Sequence, residues 1–293
     1  IIVADTSNST ITNVDLYANK VTIKATIHKF KVIDDNQKRI DTLEEKVFNY
    51  NYKPPKMATL IDDDGFCYFY SHLLPIIKEM NVPITSPNVA RYAVEHVESE
   101  YGVMTWEQLE ECALYGAEIC SHSWNNIGGT KYPIFDEQGV QVMSDEEILY
   151  DFIKSRNTMK IHGVNSDCLV YPNASDAYEK IGEIAKLAGY KYCFTGGVPP
   201  VHQRGDFDPY WISRFGMDDK LLDFNRIKNV IDQYWGSKDS GWMVLKIHTS
   251  FADWRDAEKR TIMVDNIKQM INYLRNMGVT FVTAEVAARE YIV

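Results

Sequence analysis

The chain places its reactive-looking side chains directly after short apolar runs, and segments with helical periodicity separate these runs. Residues 58–61 lead into Asp62-Asp63-Asp64-Gly65, a run ending at Cys120 leads into Ser121-His122, and a run ending at Ile247 leads into His248. In a parallel β/α barrel the carboxyl ends of all strands open onto one face, which carries the active site. The pattern therefore predicts a (β/α) barrel on which distant carboxylates and imidazoles converge.

Length, composition and charge limit the classes of protein to which the chain can belong. Its 293 residues, 45% hydrophobic, can bury a full core as one large domain or as one domain with an appendage. No apolar run approaches the ~18 residues of a membrane helix, and Ile1-Ile2-Val3 is too short for a secretion signal. The net charge of −10 argues against a nucleic-acid partner and favours a neutral or cationic substrate. We expect no membrane insertion.

The five cysteines do not indicate a disulfide framework or a zinc ribbon. Their number is odd, they have no C-x-x-C spacing, and most lie in apolar contexts such as Ala117-Glu118-Ile119-Cys120. We interpret them as small buried hydrophobic residues.

Residues 1–52 differ from the rest and are predicted to form an N-terminal segment of β and helical structure. Alternation over residues 21–27 predicts one or two exposed strands. A short a/d pattern follows, formed by Ile33, Asn36, Ile40, Leu43, Val47 and Tyr50. It indicates either an amphipathic helix packed on the domain or an oligomerising stalk, in which case residues 33–50 would hold a dimer or trimer. Lys53-Pro54-Pro55-Lys56 ends the segment, so a catalytic domain is predicted over 53–293.

Helix signals recur between the predicted strands of this domain. Thr105-Trp106-Glu107-Gln108 has capping-box spacing before a helix that stops at Gly116, and Ser144-Asp145-Glu146-Glu147 repeats that spacing. Further helices are predicted over 176–189 and from about Asp256 to Gly278.

Five short motifs follow one another from about Met57 to the C-terminus. They are Asp63-Asp64-Gly65, Ser121-His122-Ser123, Tyr171-Pro172-Asn173, Trp211-Ile212-Ser213-Arg214 and Leu245-Lys246-Ile247-His248. In order and spacing the set resembles the motifs of the polysaccharide deacetylases of carbohydrate esterase family four, which share the NodB-like homology domain. Phe281-Val282-Thr283 followed by Glu285 is similar to the family's last strand and helix. The resemblance implies a distorted (β/α) barrel with about seven parallel strands.

The resemblance also implies roles for individual residues. Asp63 would be the general base, His248 the general acid and Arg214 the residue that orients the base. Asp64 and His122 would bind a divalent metal ion, expected to be Zn²⁺. Tyr171 and Pro172 would form one wall of the substrate groove.

Two positions depart from the family pattern. The family's second metal histidine lies four residues after the first, and here that position is Asn126. An amide oxygen replaces imidazole poorly at zinc and better at harder cations, so Co²⁺, Mn²⁺ or Mg²⁺ are alternative ions and binding through Asn126 would be weak. Val170 stands where the third motif often has an arginine.

Aromatic residues near the motifs have two interpretations. Trp124, Tyr210, Trp211 and Trp254 either stack on sugar rings or pack in the core, and Trp211 and Trp254 are our candidates for substrate contact. Among the other polar residues, Asp62 either caps its loop or, if the match to the first motif is shifted by one residue, is the base. His72, His96 and His162 are expected at surface or boundary positions, and His202 is not expected to be catalytic.

Two functions stay open from the sequence. The first is a metal-dependent hydrolase that removes acetyl groups from a glycan, such as an N-acetylglucosamine polymer or an O-acetylated polysaccharide. The second is a carbohydrate-binding module whose chemistry Asn126 has weakened, displayed on a surface or phage-tail assembly. Either function suggests an extracellular or cell-surface location.

Overall fold

The structure is a computed structural model that describes residues 13–17, 20–24, 53–95, 102–126, 143–172 and 180–292. The chain divides into two compact units, residues 1–53 and 54–293. In the first unit, β1 (Asn13–Tyr17) and β2 (Lys20–Lys24) form an antiparallel pair. Residues 33–50 lie outside the described residues, so oligomerisation through them stays a prediction.

The second unit contains a closed ring of seven parallel strands, which confirms the predicted barrel. In ring order these strands are β3 (Lys56–Asp62), β4 (Ile84–Asn88), β5 (Ala117–Ser121), β6 (Cys168–Val170), β7 (Tyr192–Gly196), β9 (Ile212–Gly216) and β10 (Gly241–Ile247). Full pairing of β10 with β3, from Gly241↔Lys56 to Ile247↔Asp62, closes the ring. Two short strands lie outside it: β8 (Val201–His202), antiparallel to β10, and β11 (Thr280–Phe281), parallel to β3.

Helices connect the strands and surround the ring. Along the described chain they are α1 (Leu74–Met80), α2 (Ala90–Glu95), α3 (Trp106–Leu114), α4 (Asp145–Ile161), α5 (Lys180–Leu187), α6 (Phe224–Trp235), α7 (Ala257–Asn276) and α8 (Ala284–Tyr291). A π-helical turn over Phe69–Leu73 precedes α1, and 3₁₀ turns occupy Asp218–Lys220 and Ala252–Trp254. Among the described helices, none combines the length and apolarity that a bilayer crossing would require.

The predicted helix signals are present in the structure. Capping boxes join Thr105 to Gln108 at the start of α3 and Ser144 to Glu147 at the start of α4. Each box satisfies backbone N–H groups that the first helical turn leaves without partners. The Asp256 side chain caps α7, and Gly278, with a φ of 77°, follows the end of that helix.

Side chains of β10 alternate between the barrel interior and the surrounding helices, as the period of two in a strand requires. Trp242 and Val244 pack inside with residues from five other ring strands. Met243, Leu245 and Ile247 are buried in the outer cluster, which also contains residues of α7.

One end of the barrel is closed by α8. The Tyr291 hydroxyl of this helix donates to the Pro55 carbonyl at 2.5 Å and accepts from the Gly241 amide at 3.0 Å, at the amino ends of β3 and β10. The carboxyl ends of the strands therefore form the face that is free to hold a site. His202, opposite Trp242 near the amino end of β10, lies away from that face.

All five cysteines are free thiols, and four are buried. Cys67 is half-buried. The interpretation of the cysteines as small hydrophobic residues is therefore confirmed for Cys112, Cys120, Cys168 and Cys193.

Candidate active site

Asp63 lies just past the carboxyl end of β3, between two cationic side chains. Its Oδ1 accepts a hydrogen bond of 2.6 Å from Arg214 Nη1, and its Oδ2 is 3.4 Å from His248 Nε2. Arg214 and His248 come from β9 and the end of β10, so three strands converge here. Burial by itself would raise the pKa of Asp63, but Arg214 and His248 outweigh that effect and hold it well below its usual range. The carboxylate is therefore ionised at neutral pH.

His248 is held by a second carboxylate, which the sequence analysis did not identify. Asp218 Oδ2 is 3.0 Å from His248 Nδ1, and Asp218 Oδ1 accepts the His248 backbone amide at 2.6 Å. Burial by itself would lower the pKa of His248, but hydrogen bonds to Asp218 and Asp63 raise it to about 10. The ring is therefore protonated at neutral pH and can give up a proton. The exposed ring of Phe251 stacks on it, with centroids 4.6 Å apart.

Asp64 and His122 form a pair beside Asp63. His122 Nδ1 lies 2.9 Å from the Val170 carbonyl oxygen, to which only a protonated nitrogen can donate. The other ring nitrogen, Nε2, faces Asp64 Oδ1 at 3.4 Å, while Asp64 Oδ2 accepts from the Ser250 hydroxyl at 3.1 Å. With Nδ1 protonated, Nε2 keeps its lone pair, and Nε2 and Asp64 Oδ1 lie close enough for both to bind one metal ion.

The distance between these two atoms fits a metal. A tetrahedral ion with bonds of about 2.0–2.2 Å holds neighbouring ligand atoms about 3.3–3.6 Å apart. The carbonyl that fixes the His122 ring also matches the usual support of a metal-bound histidine. In the described part of the chain no three His, Cys, Asp or Glu side chains group together to hold an ion. Among the described residues, a third protein ligand beside Asp64 and His122 would therefore be of another type.

The third predicted ligand, Asn126, lies in a tightly turned loop after β5. Ser123 and Asn126 both have left-handed backbones, with φ of 64° and 52°. The loop is fixed by Asp151 of α4, which accepts from the Trp124 amide at 2.8 Å and from the Asn125 amide at 3.1 Å. Burial raises the pKa of Asp151 to about 6 although these hydrogen bonds oppose the effect. Coordination by Asn126 stays a prediction.

Asp62 faces a different partner from Asp63. It is fully buried, and its two oxygens accept from the Thr249 amide at 2.8 Å and the Thr249 hydroxyl at 2.9 Å. Burial raises its pKa well above the usual range, against the effect of these bonds. Asp62 therefore anchors the loop after β10, and Asp63 occupies the position between Arg214 and His248.

The predicted substrate-contact residues differ in exposure. The Tyr171 ring is fully buried against Phe152, and its hydroxyl donates to the Tyr210 carbonyl at 3.1 Å. The ring is therefore part of the core, and the role of Tyr171 in the groove wall stays a prediction. Pro172 is also buried, whereas Trp211 is half-buried, 6.3 Å from the Tyr171 ring centroid. Trp254 is 1% exposed but borders a cleft of about 350 Å³ beside Asp218 and Phe251.

Asp218 and Asp151 were not predicted from the sequence, and of these two Asp218 carried a usable signal. Asp218 follows the end of β9 by two residues, so the strand-end rule that selected Asp63 would also have selected it. Asp151 lies on a helix, and no local pattern distinguishes it from a solvated helical aspartate.

Comparison with known proteins points to one family. A sequence model of the polysaccharide deacetylase family matches residues 50–193. A poly-β-1,6-N-acetyl-D-glucosamine N-deacetylase from Escherichia coli (strain K12) is 27% identical over 171 residues, which cover 48% of this chain and 25% of the relative. The chain thus spans about a quarter of the length of the curated relatives it matches.

Solved structures share the fold at low identity. A family-four carbohydrate esterase pseudoenzyme from Bacillus anthracis has a TM-score of 0.54 and 13% identity, over 83% of this chain and 68% of that chain. The Xyl-CE4 domain of a xylanase from the hindgut metagenome of Trinervitermes trinervoides has a TM-score of 0.52 and 18% identity, over 80% and 90% of the two chains. The family model and the deacetylase relatives confirm the resemblance to the polysaccharide deacetylase family that the strand-end motifs predicted.

Proposed function

We propose that the barrel is a hydrolase that removes acetyl groups from a glycan, with Asp63 as general base and His248 as general acid. The observation that carries the proposal is the 3.4 Å separation between the Asp63 carboxylate, whose pKa is lowered, and the His248 imidazole, whose pKa is raised. Acetyl hydrolysis needs both: one group takes a proton from water and the other gives a proton to the leaving nitrogen or oxygen. The two pKa shifts keep Asp63 ionised and His248 protonated at neutral pH, which are the starting states of a base and an acid.

We further propose that Asp64 and His122 hold a divalent cation, with Asn126 as a weak third ligand. Zn²⁺ is the first candidate, and Co²⁺, Mn²⁺ or Mg²⁺ are the alternatives. When bound, the ion would supply Lewis acidity to the acyl group and to the attacking water. Support comes from the 3.4 Å separation of Asp64 Oδ1 and His122 Nε2 and from the anchoring of the His122 ring by Val170.

The proton transfers balance within the Asp63–His248 pair. Asp63 accepts a proton as water attacks the acyl carbon, and the carbonyl π pair moves onto the acyl oxygen. Collapse of the resulting tetrahedral adduct breaks the bond between the acyl carbon and the leaving group, which takes the proton of His248. Acetic acid is released and ionises. Transfer of a proton from Asp63 to His248, across the short distance between them, then returns both groups to their starting states. Arg214 keeps Asp63 ionised and oriented, and Asp218 does the same for the His248 ring.

For the substrate we propose an N-acetylglucosamine polymer first and an O-acetylated polysaccharide second. The Escherichia coli relative, named as a deacetylase of poly-β-1,6-N-acetyl-D-glucosamine, supports this order. The chain's net charge of −10 suits a glycan that becomes cationic as its amines are freed. Such polymers lie outside the cytoplasm, so we propose an extracellular or cell-surface location.

The test is acetate release by metal-stripped protein re-supplied with each of Zn²⁺, Co²⁺, Mn²⁺ and Mg²⁺. The substrates are N-acetylglucosamine oligomers and acetylated xylan. The proposal expects metal-dependent release from at least one of them. If no combination of metal ion and substrate releases acetate while the protein still binds the glycan, the barrel is a binding module, and the hydrolase proposal is refuted.

A further inference from the structure

Lys246 is a cationic side chain at the barrel mouth that the proposed mechanism does not use. It is the second-last residue of β10, where it pairs with Ile61 of β3 and with Gly216 of β9. Trp242 and Val244, two and four residues earlier on the same strand, pack inside the barrel. The period of two therefore directs Lys246 into the interior as well, at the carboxyl end that holds Asp63 and Arg214.

Neighbouring residues place the Lys246 side chain close to the catalytic groups. Its Cε lies 3.6 Å from the point where a Cβ would stand on Gly216, and Asp218 Oδ2 lies 3.9 Å from that same point. Both distances are ordinary van der Waals contacts, so the lysine stem runs beside Gly216 of β9, near the Asp218 carboxylate that binds His248. Lys246 is half-buried, so part of its side chain is open to solvent at the barrel mouth.

The carboxylates around Lys246 are engaged with other groups. Asp63 is bound by Arg214, and Asp218 is bound by His248. Among the residues that the structure describes, none forms an ion pair or a side-chain hydrogen bond with Lys246. Three N–H donors in a catalytic cleft are therefore available to a ligand.

The groups around the Lys246 ammonium shift its pKa in opposite directions. Burial lowers the pKa of Lys246, and Arg214 adds to that effect. The carboxylates Asp63, Asp218 and Asp64 oppose it and favour the charged form. Because the neighbouring carboxylates are already paired, Lys246 is a cation that is available to an oxygen that gains negative charge in the cleft.

Resting on the proposed function, we propose that Lys246 is a further catalytic residue, whose ammonium donates to the acyl oxygen as that oxygen becomes negative. The same contact would hold the carboxylate of the acetate product. This donor would add to the charge stabilisation of the metal site, in which the neutral Asn126 replaces a histidine. Removal of one donor to such an oxyanion lowers kcat by about 10²–10³-fold in other hydrolases.

The test compares Lys246→Met, which keeps the length of the stem, with Lys246→Arg, which keeps the charge, and with wild type. For Lys246→Met we expect kcat to fall by about 10²-fold while KM for the oligomer changes little, since the contact strengthens only in the transition state. Lys246→Arg should recover part of the loss. A kcat within about threefold of wild type, with or without a raised KM, overturns the proposal.

Acetate binding tests the role of Lys246 without turnover. Acetate binding is titrated by calorimetry on the metal-free wild type and both variants, after thermal unfolding shows that each is folded. We expect Lys246→Met to weaken acetate binding by about tenfold or more and Lys246→Arg to weaken it less. Equal acetate affinity in all three proteins overturns the proposal. Absence of glycan deacetylation by wild type refutes the proposed function instead, and Lys246-dependent acetate binding would then remain.

Discussion

Substitution of Asp218 by Asn gives the sharpest test of how the site sets the protonation of His248. The pKa of His248 is about 10, against about 6.5 for an unperturbed histidine. The difference of roughly 3.5 units corresponds to about 5 kcal/mol of preference for the charged ring. Asp218 and Asp63 share this contribution, so removal of the Asp218 charge should lower the pKa by about 1–3 units.

The consequence appears in the pH dependence of kcat/KM. A general acid must be protonated, so activity falls as the pH rises through the pKa of His248. For Asp218→Asn the basic limb should move from near pH 10 to between about 7 and 9, with a larger loss of activity at pH 9.5 than at pH 6.5. Asp219→Asn is the matched control, because Asp219 is the next residue but pairs with Lys220 and Arg226 at the surface.

Stability provides an independent measure of the same interaction. Because the folded-state pKa of His248 is raised, its stabilisation is full below about pH 6.5 and is lost as the pH rises toward 10. Asp218→Asn should therefore reduce the free energy of unfolding in urea more at pH 6 than at pH 10. A basic limb that overlays the wild-type limb, or one that Asp219→Asn moves equally, would refute the reasoning.

Three further substitutions test other parts of the site. Arg214→Met should raise the pKa of Asp63 and move the acidic limb of kcat/KM upward by about 1–3 units, since the base must be ionised; an unmoved limb would exclude this role for Arg214. Asp151→Ala should loosen the loop that carries His122 and weaken metal binding in calorimetry by about 10–100-fold, and unchanged affinity would contradict it. Thr249→Val should cost about 1–3 kcal/mol in urea unfolding, because Asp62 loses a buried donor; wild-type stability would show that this bond is dispensable.

The convergence of the main site residues was predictable because it depends on local rules. Asp63 and His248 directly follow apolar strands, and parallel strands in a barrel bring their carboxyl ends together. The capping boxes at Thr105 and Ser144 were predictable for a similar reason, since they depend on residues only three positions apart.

Other features depend on contacts that no local pattern encodes. Asp218 reaches His248 only because the turn after β9 lies against the end of β10. Tyr171 is fully buried whereas Trp211 is half-buried, although both are aromatic residues in motif positions, and only the packing of the outer layer separates the two cases. The interior direction of Lys246 depends on which face of β10 is turned inward, and the burial of Trp242 and Val244 inside the barrel decides this.

The most direct test of the central claim measures acetate release from an N-acetylglucosamine oligomer by wild type, Asp63→Asn and Asp62→Asn, each re-supplied with the metal that best supports wild type. The two substitutions remove neighbouring buried carboxylates of the same size, but only Asp63 faces both Arg214 and His248. We predict that Asp63→Asn lowers kcat by about 10²–10⁴-fold while Asp62→Asn retains most of the activity. Activity that survives in Asp63→Asn, or that is lost equally in Asp62→Asn, would contradict the assignment of Asp63 as the base.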